Sequence, residues 1–417
     1  MDHRSVLQKT DRCVMCGLCL PHCPTYIKTR DEGESPRGRI ALMQGLFSGR
    51  LELTEPLETH LDHCLACRAC EAVCPSGVPY GELIDAARAE IESRRPRSAV
   101  RRLPRRTAKA AIVHKPLLRA AAILARAYRA TGLQRLARQT GLLRGTALPA
   151  LDRLADSFPI PRPWKRRYLA KSSERGQVAL FTGCVTDAMD QTTLRSAIEV
   201  LTRLGFSVWV PRNQTCCGAV HLHAGDPERA RALARRNIAA FAPAQAEAVL
   251  FAASGCGAQL AEYSRLLDGE DEATQFSRRA RDIIPFLNDL EWPETVRLAP
   301  LQARVAIHEP CSVTHVLRQP GQTRTLLGRI PGIELVPLPE NGRCCGAAGS
   351  YMISQPEMAQ ALLDDKLEHL KRLAPSILVT SNVGCALHFQ AGIRAAGLEI
   401  EVLHPVTLIA RQMTDNA

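Results

Sequence analysis

Half of the sixteen cysteines in this 417-residue chain form two copies of one spacing pattern. Each copy has a cysteine at every third position, three in all, and then a fourth cysteine followed by proline. In the matching spacing of proteins with two [4Fe-4S] clusters, the fourth cysteine of each copy binds the cluster of the other copy. The pattern therefore predicts two ligand sets, Cys13, Cys16, Cys19 and Cys74 for one cluster and Cys64, Cys67, Cys70 and Cys23 for the other.

Zinc sites and disulfides are the alternative uses of such cysteines. Zinc sites usually use two CxxC pairs per metal ion. They do not need a fourth cysteine followed by proline, and here that feature occurs in both copies. Disulfides need an oxidising compartment, and the opening segment MDHRSVLQKTDR has no apolar stretch of a secretory signal. We therefore expect a cytoplasmic protein whose thiols hold iron-sulfur clusters.

The other eight cysteines form an internal repeat. The interval from the first cysteine to an adjacent cysteine pair is 32 residues in one copy and 33 in the other, and a glycine follows each pair. The two sets are Cys184, Cys216, Cys217 and Cys256, and Cys311, Cys344, Cys345 and Cys385.

Short apolar runs precede these cysteines and alternate with helical stretches, which predicts a parallel α/β sheet in each copy. Because ligands of such sheets gather at the carboxyl ends of the strands, each set should converge on one site. Buried cysteines also serve as core residues or form vicinal disulfides, and that alternative stays open. We favour metal or redox chemistry, with a further iron-sulfur cluster or zinc as the cofactor.

The elements around the first eight cysteines are predicted to be helical, because apolar residues recur at helical spacing over 39–47 and 81–92. The chain therefore divides into an α-helical ferredoxin domain with two [4Fe-4S] clusters (1–95), a basic helical linker (96–175) and two cysteine-rich repeats (176–295 and 296–417). Residues 94–171 contain 21 Lys and Arg against two acids, and an amphipathic helix is predicted over 117–128. Few aromatic residues and no recognised motif accompany this charge, so nucleic acid is excluded as a partner. Three interpretations of the basic segment remain, namely contact with an anionic membrane, contact with an acidic subunit, and a basic surface that only faces solvent.

Several segments resemble known families, namely Ser35-Pro-Arg-Gly-Arg-Ile, Cys216-Cys-Gly-Ala-Val and Ala253-Ser-Gly-Cys-Gly-Ala. The repeat resembles the "CCG" domain of the heterodisulfide reductases. Its fusion behind a ferredoxin domain resembles the iron-sulfur subunits of glycolate oxidase, anaerobic glycerol-3-phosphate dehydrogenase and lactate-utilisation systems, with the glycolate oxidase subunit nearest. The resemblance implies electron transfer from FAD-containing subunits that oxidise glycolate to glyoxylate toward a quinone, at the cytoplasmic face of the inner membrane.

Two alternatives remain beside this interpretation. A heterodisulfide reductase-like chain would have its own active site in the repeats, and a docking module would have inert thiols there. The repeats also depart from the CCG pattern, because Gln259 and His388 stand where that pattern has a further cysteine. His388 is therefore a candidate ligand. Only a minority of clusters are bound through imidazole, so we do not expect the other nearby histidines to be ligands, namely His221, His223, His308 and His315. No dinucleotide fingerprint occurs in the sequence, which predicts that substrate is oxidised on partner subunits.

Overall fold

The computed structural model describes residues 3–94, 162–244 and 246–414, with parts of 120–140. Most of the predicted basic linker, and most of the amphipathic helix predicted over 117–128, lie outside the described residues. None of the described helices has the length and apolar character to cross a membrane.

The N-terminal region forms a helical unit around the first eight cysteines. Its helices α1–α6 are His3–Thr10, Pro24–Thr29, Pro36–Phe47, Glu55–Asp62, Ala69–Ala72 and Tyr80–Arg94. Helix α3 begins where the Ser35 hydroxyl accepts a hydrogen bond from the Gly38 N–H, with Pro36 in the first turn. Met43, Leu46, Leu61 and Leu83 are fully buried in a core of this unit's own. The predicted helices are therefore present, and α7, Leu133–Gln139, follows in the linker.

The first repeat is built on a five-stranded sheet in the order β1-β3-β2-β4-β5. Strands β2–β5 are parallel, and the short edge strand β1 pairs with β3 in the antiparallel direction. The strands are Arg167–Tyr168, Gly176–Phe181, Phe206–Trp209, Val249–Phe251 and Ala280–Asp282. Helices α8–α15 are Val185–Met189, Gln191–Arg203, Ala219–His223, Pro227–Phe241, Ser254–Ala261, Tyr263–Leu266, Asp271–Arg279 and Ile283–Asn288.

The second repeat has a four-stranded parallel sheet in the order β8-β7-β9-β10, which matches β3-β2-β4-β5 of the first. Its strands are Arg304–His308 (β7), Glu334–Pro337 (β8), Ile377–Thr380 (β9) and Glu401–Leu403 (β10). A π-helix, Ser312–Leu317, precedes helices α16–α20, which are Gln322–Leu327, Tyr351–Ser354, Pro356–Leu373, Val383–Ala395 and Pro405–Gln412. Outside both sheets, β6 (Arg297–Leu298) pairs with β11 (Met413–Thr414). The duplicated parallel architecture is confirmed.

The two repeats share one hydrophobic core. Val178 and Leu250 of the first sheet and Val305 and Val379 of the second belong to the same buried cluster. Helix α9 of the first repeat packs against α20 of the second. Since burial of apolar surface is the main stabilising force, this shared cluster stabilises the two repeats together, and each repeat also has a buried cluster of its own.

Candidate metal centres

The first predicted ligand set lines a single cavity. Cys13, Cys16, Cys19 and Cys74 all face it, together with Cys70 of the other set. Burial raises the pKa of the Cys19 thiol to about 11, and the neighbouring Cys13 and Cys16 contribute to this shift. Four thiols that face one cavity are a donor set suited to soft metals and iron-sulfur groups.

The backbone turns in the same unusual way in both copies of the motif. Met15 and Gly17, on either side of the second cysteine of the first copy, have φ values of +57° and +82°. Ala66 and Arg68, at the equivalent positions of the second copy, have φ values of +51° and +58°. Left-handed conformation is costly for residues other than glycine, and turns of this kind direct backbone N–H groups into anion-binding concavities that recur at iron-sulfur sites. The loops therefore fit a cluster with anionic sulfur.

The second ligand set, Cys23, Cys64, Cys67 and Cys70, lies deeper, with Cys23 and Cys64 buried. The hydroxyl of Tyr80 is 3.7 Å from the Cys64 sulfur, and the N–H of Ala66 is 3.4 Å from the same atom. Burial raises the pKa of both Cys67 and Cys70 well above the ordinary value, because their thiolates lose water and neighbour other thiols. A bound cationic metal removes this penalty by pairing with the thiolates.

A buried arginine beside this set was not predicted from the sequence. Arg39 is 1% exposed, its Nη1 lies 3.8 Å from the Cys23 sulfur, and it forms an ion pair with Glu34. The Glu34 carboxylate is also 2.8 Å from the His60 ring and 2.9 Å from the His63 ring. The available signal was the Ser35-Pro-Arg-Gly-Arg-Ile segment, which contains Arg39 but does not show that its charge is buried.

The four cysteines of the first repeat converge as predicted by their position after β2, β3 and β4. The neighbouring thiols of Cys184 and Cys217 hold the pKa of Cys216 well below its ordinary value. Cys216 and Cys256 in turn raise the pKa of Cys217, because both lie beside it. The helix behind them contributes Asn237, whose side-chain amide donates to the Cys216 carbonyl oxygen and whose side-chain oxygen accepts from the Thr215 N–H. Sequence reasoning missed Asn237.

The cysteines of the second repeat form an equivalent chain of contacts. Cys344 lies beside Cys311 and Cys345, and Cys345 lies beside Cys385, so that each thiol influences the pKa of its neighbour. Ligand atoms of Cys345, Cys385 and His308 all lie within 4.8 Å of one another. We did not expect His308 at this site, because its position is set by strand pairing rather than by a motif.

The other histidines lie elsewhere. His388 places Nε2 3.2 Å from the Ala359 carbonyl oxygen, and it is not part of the group formed by His308, Cys345 and Cys385. His315 Nε2 is 2.8 Å from the Gly342 carbonyl oxygen, and His223 Nδ1 is 2.9 Å from the Asp85 carboxylate of the ferredoxin domain. His221 Nδ1 is 3.5 Å from Asp226.

The ferredoxin domain contacts the second repeat beside its cysteines. Cys67 and Cys311 pack against one hydrophobic cluster that contains Leu65, Cys344 and Tyr351. The proximity of Cys311 adds to the burial that raises the pKa of Cys67. The Tyr351 hydroxyl donates to the carbonyl oxygen of His63 at 2.9 Å. The second predicted cluster set and the second repeat's thiols therefore face each other across this contact.

Three known families match separate parts of the chain. The family "4Fe-4S dicluster domain" matches residues 9–78, and "Cysteine-rich domain" matches residues 178–261 and 305–390. Between them, "Glycolate oxidase iron-sulfur subunit, linker region" matches residues 100–156.

Curated relatives match most of the chain. A probable glycolate oxidase iron-sulfur subunit of Bacillus subtilis is 35% identical over 95% of this chain and 92% of its own length. The glycolate oxidase iron-sulfur subunit of Escherichia coli is 34% identical over 92% of this chain and 90% of its own length. Lactate utilization protein A of Geobacillus thermodenitrificans is 29% identical over 55% of this chain and 96% of its own length.

Proposed function

Because this chain belongs to the family of glycolate oxidase iron-sulfur subunits, we propose that it carries electrons from FAD-containing subunits, which oxidise glycolate to glyoxylate, toward a membrane quinone. The observation that carries this proposal is the convergence of the two predicted cysteine sets, with the second set packed against the second repeat. An electron-transfer protein needs its redox groups close together and partly shielded from water. The packing of Cys67 and Cys311 against one hydrophobic cluster meets that need.

We assign one [4Fe-4S] cluster to Cys13, Cys16, Cys19 and Cys74, and a second to Cys64, Cys67, Cys70 and Cys23. Such clusters, when bound, accept and donate single electrons. The cavity lined by the first set and the paired left-handed turns support this assignment. The eight repeat cysteines are proposed as two further sites for an iron-sulfur group or zinc.

Arg39 is proposed to adjust the potential of the second site. Its guanidinium lies beside Cys23, and a positive charge near cluster ligands favours the reduced, more negative form. Glu34 offsets part of this effect, because its carboxylate is paired with the same guanidinium. The buried pair therefore holds Arg39 in place while leaving its charge next to the cysteines.

Substrate oxidation is assigned to the partner subunits, since removing two electrons from a hydroxy acid requires a flavin or nicotinamide. The basic segment 94–171 is proposed as the contact to a partner or to the cytoplasmic face of the inner membrane. Each Lys or Arg near an anionic membrane contributes about 1 kcal/mol before screening.

A deletion experiment tests this role. Membranes from a strain that lacks only this chain should show no glycolate-dependent reduction of quinone or dye, because the reduced flavin would have no clusters to accept its electrons. Expression of the wild-type chain should restore the activity, whereas a Cys16→Ser, Cys67→Ser double variant should not. Full activity in the deletion strain, or flavin bound stoichiometrically to the purified chain, would refute the proposal.

A further inference from the structure

The two repeats differ at one strand pair beside their cysteines. In the first repeat, the last paired residues of β2 and β4 are Phe181 and Phe251. In the second, the equivalent residues of β7 and β9 are His308 and Thr380. His308 precedes Cys311 by the same three positions that separate Phe181 from Cys184. An apolar pair in one copy is thus a polar, buried pair in the other, with His308 only 2% exposed.

The imidazole is within reach of a shared metal ion. Atoms of His308, Cys345 and Cys385 lie within 4.8 Å of one another, and all three residues are buried. Ligand atoms of a tetrahedral zinc ion, roughly 2.0–2.3 Å from the metal, are separated by roughly 3.3–3.8 Å. Shifts of about 1 Å therefore complete the site. The terminal ligands of a cubane must be farther apart, because each binds a different iron atom.

A second group orients the imidazole. Thr380 Oγ1 is 2.9 Å from His308 Nδ1, and the ring packs edge-on against Phe389 with a centroid separation of 4.8 Å. With the Nδ1–H donating to Thr380, Nε2 carries the lone pair. Metal-binding histidines characteristically have such a partner on the other ring nitrogen.

A buried lysine marks the same repeat. Lys366 is 2% exposed, and its ammonium donates to the Glu340 carbonyl oxygen at 2.6 Å. Its position in α18 corresponds to Asn237 in α11, because each lies seven residues after the alanine that packs against the glycine of the Cys-Cys-Gly loop. Its ammonium lies near Cys345 and Cys344, so a positive charge faces the same group of sulfur atoms.

We propose that His308, Cys345 and Cys385 bind a single zinc-class divalent ion in the second repeat, with Thr380 orienting the imidazole. This inference deepens the proposal of metal sites in the repeats and rests on it. Three protein ligands leave one tetrahedral position for a water molecule or a small ligand. The first repeat has no imidazole at this place and offers sulfur ligands alone.

Metal analysis of the full chain, purified anaerobically, tests the proposal. The wild type should contain zinc in addition to the iron of its clusters, and zinc X-ray absorption should show both nitrogen and sulfur in the first shell. The His308→Phe variant, which installs the residue of the first repeat, should lose the zinc and keep its iron. The Thr380→Val variant should bind zinc about 10–100-fold more weakly in chelator competition, because the ligand loses its orienting partner.

His388→Gln is the matched control, since it removes a neighbouring imidazole that lies against a backbone carbonyl, and its zinc affinity should equal that of the wild type. An all-sulfur shell, no zinc in the wild type, or unchanged zinc binding in His308→Phe overturns the proposal. If His308→Phe fails to fold, the zinc X-ray absorption spectrum of the wild type and the zinc affinity of Thr380→Val still test the proposal. These outcomes are separate from the electron-transfer role, which is assigned to the clusters of the N-terminal sites and is tested by the deletion experiment.

Discussion

At the scale of single residues, the two cysteine loops keep backbone strain that ordinary turns avoid. Met15, Ala66 and Arg68 are left-handed without being glycine, and each such residue costs roughly 1–3 kcal/mol. Strain of this size persists only where the surroundings require it. The strain recurs at equivalent positions of both loops, which supports the interpretation that the loops are shaped to bind a cluster.

The two cysteine sets should fail separately when one ligand is removed. Cys67→Ser should lower the iron content by about four atoms per chain and remove one reduced-cluster EPR signal, because serine is a poor ligand for a soft metal site. Iron and sulfide analysis with EPR of the dithionite-reduced protein measures this.

Cys16→Ser is the paired variant, since Cys16 holds the same place in the other motif. It should remove the other signal, and any splitting from interaction between the clusters should vanish in both variants. Loss of all iron in one variant with none lost in the other would contradict the assignment of ligands to two sites.

At the scale of elements, the sequence predicted the strands and helices that position the cysteines well. The apolar run Val178-Ala-Leu-Phe lies in β2, and the run Ser376-Ile-Leu-Val-Thr forms β9 from Ile377 onward, because buried parallel strands are recognisable as short apolar segments between helices. The two-residue strands β1, β6 and β11 were not predicted, since they have too few residues for any periodicity.

The candidate site was predictable only where ligands follow a motif. Cysteine spacing indicated all sixteen positions, whereas His308 emerged from the pairing of β7 with β9, which brings residues 72 positions apart into contact. The burial of Arg39 and Lys366 could not be predicted from the sequence either, because a charged residue is normally expected at the surface.

The turn after each cysteine pair should depend on its glycine. Gly346 has φ +93°, and a Cβ there would lie 2.6 Å from the Ala359 carbonyl oxygen. Gly346→Ala should therefore unfold at lower urea concentration, with a loss of about 1–3 kcal/mol beyond that of the control, because overpacking adds to the backbone strain. Urea unfolding followed by circular dichroism measures the difference.

Gly321→Ala is the matched control, since Gly321 has φ +83° but open space around its Cα. It retains the backbone cost of a left-handed alanine without the steric clash. Equal losses in the two variants would show that the close approach to helix α18 has no energetic consequence.

At the scale of the whole molecule, the ferredoxin domain contacts both repeats. Arg68 forms an ion pair with Glu262 of the first repeat, and Lys28 forms one with Asp365 of the second at 2.7 Å. The Asp85 carboxylate is buried against His223, and although burial raises its pKa, the imidazole holds that pKa below the usual range. These polar contacts and the apolar packing of Cys67 and Cys311 together join the ferredoxin domain to both repeats.

The most direct test of the central claim is rapid-freeze EPR of the complete complex after addition of glycolate. We predict that reduced [4Fe-4S] signals appear when the flavoprotein partners are present, that the isolated chain gives none with glycolate, and that Cys67→Ser removes one of the signals. Clusters that dithionite reduces but that stay oxidised while the complex converts glycolate to glyoxylate would contradict the account.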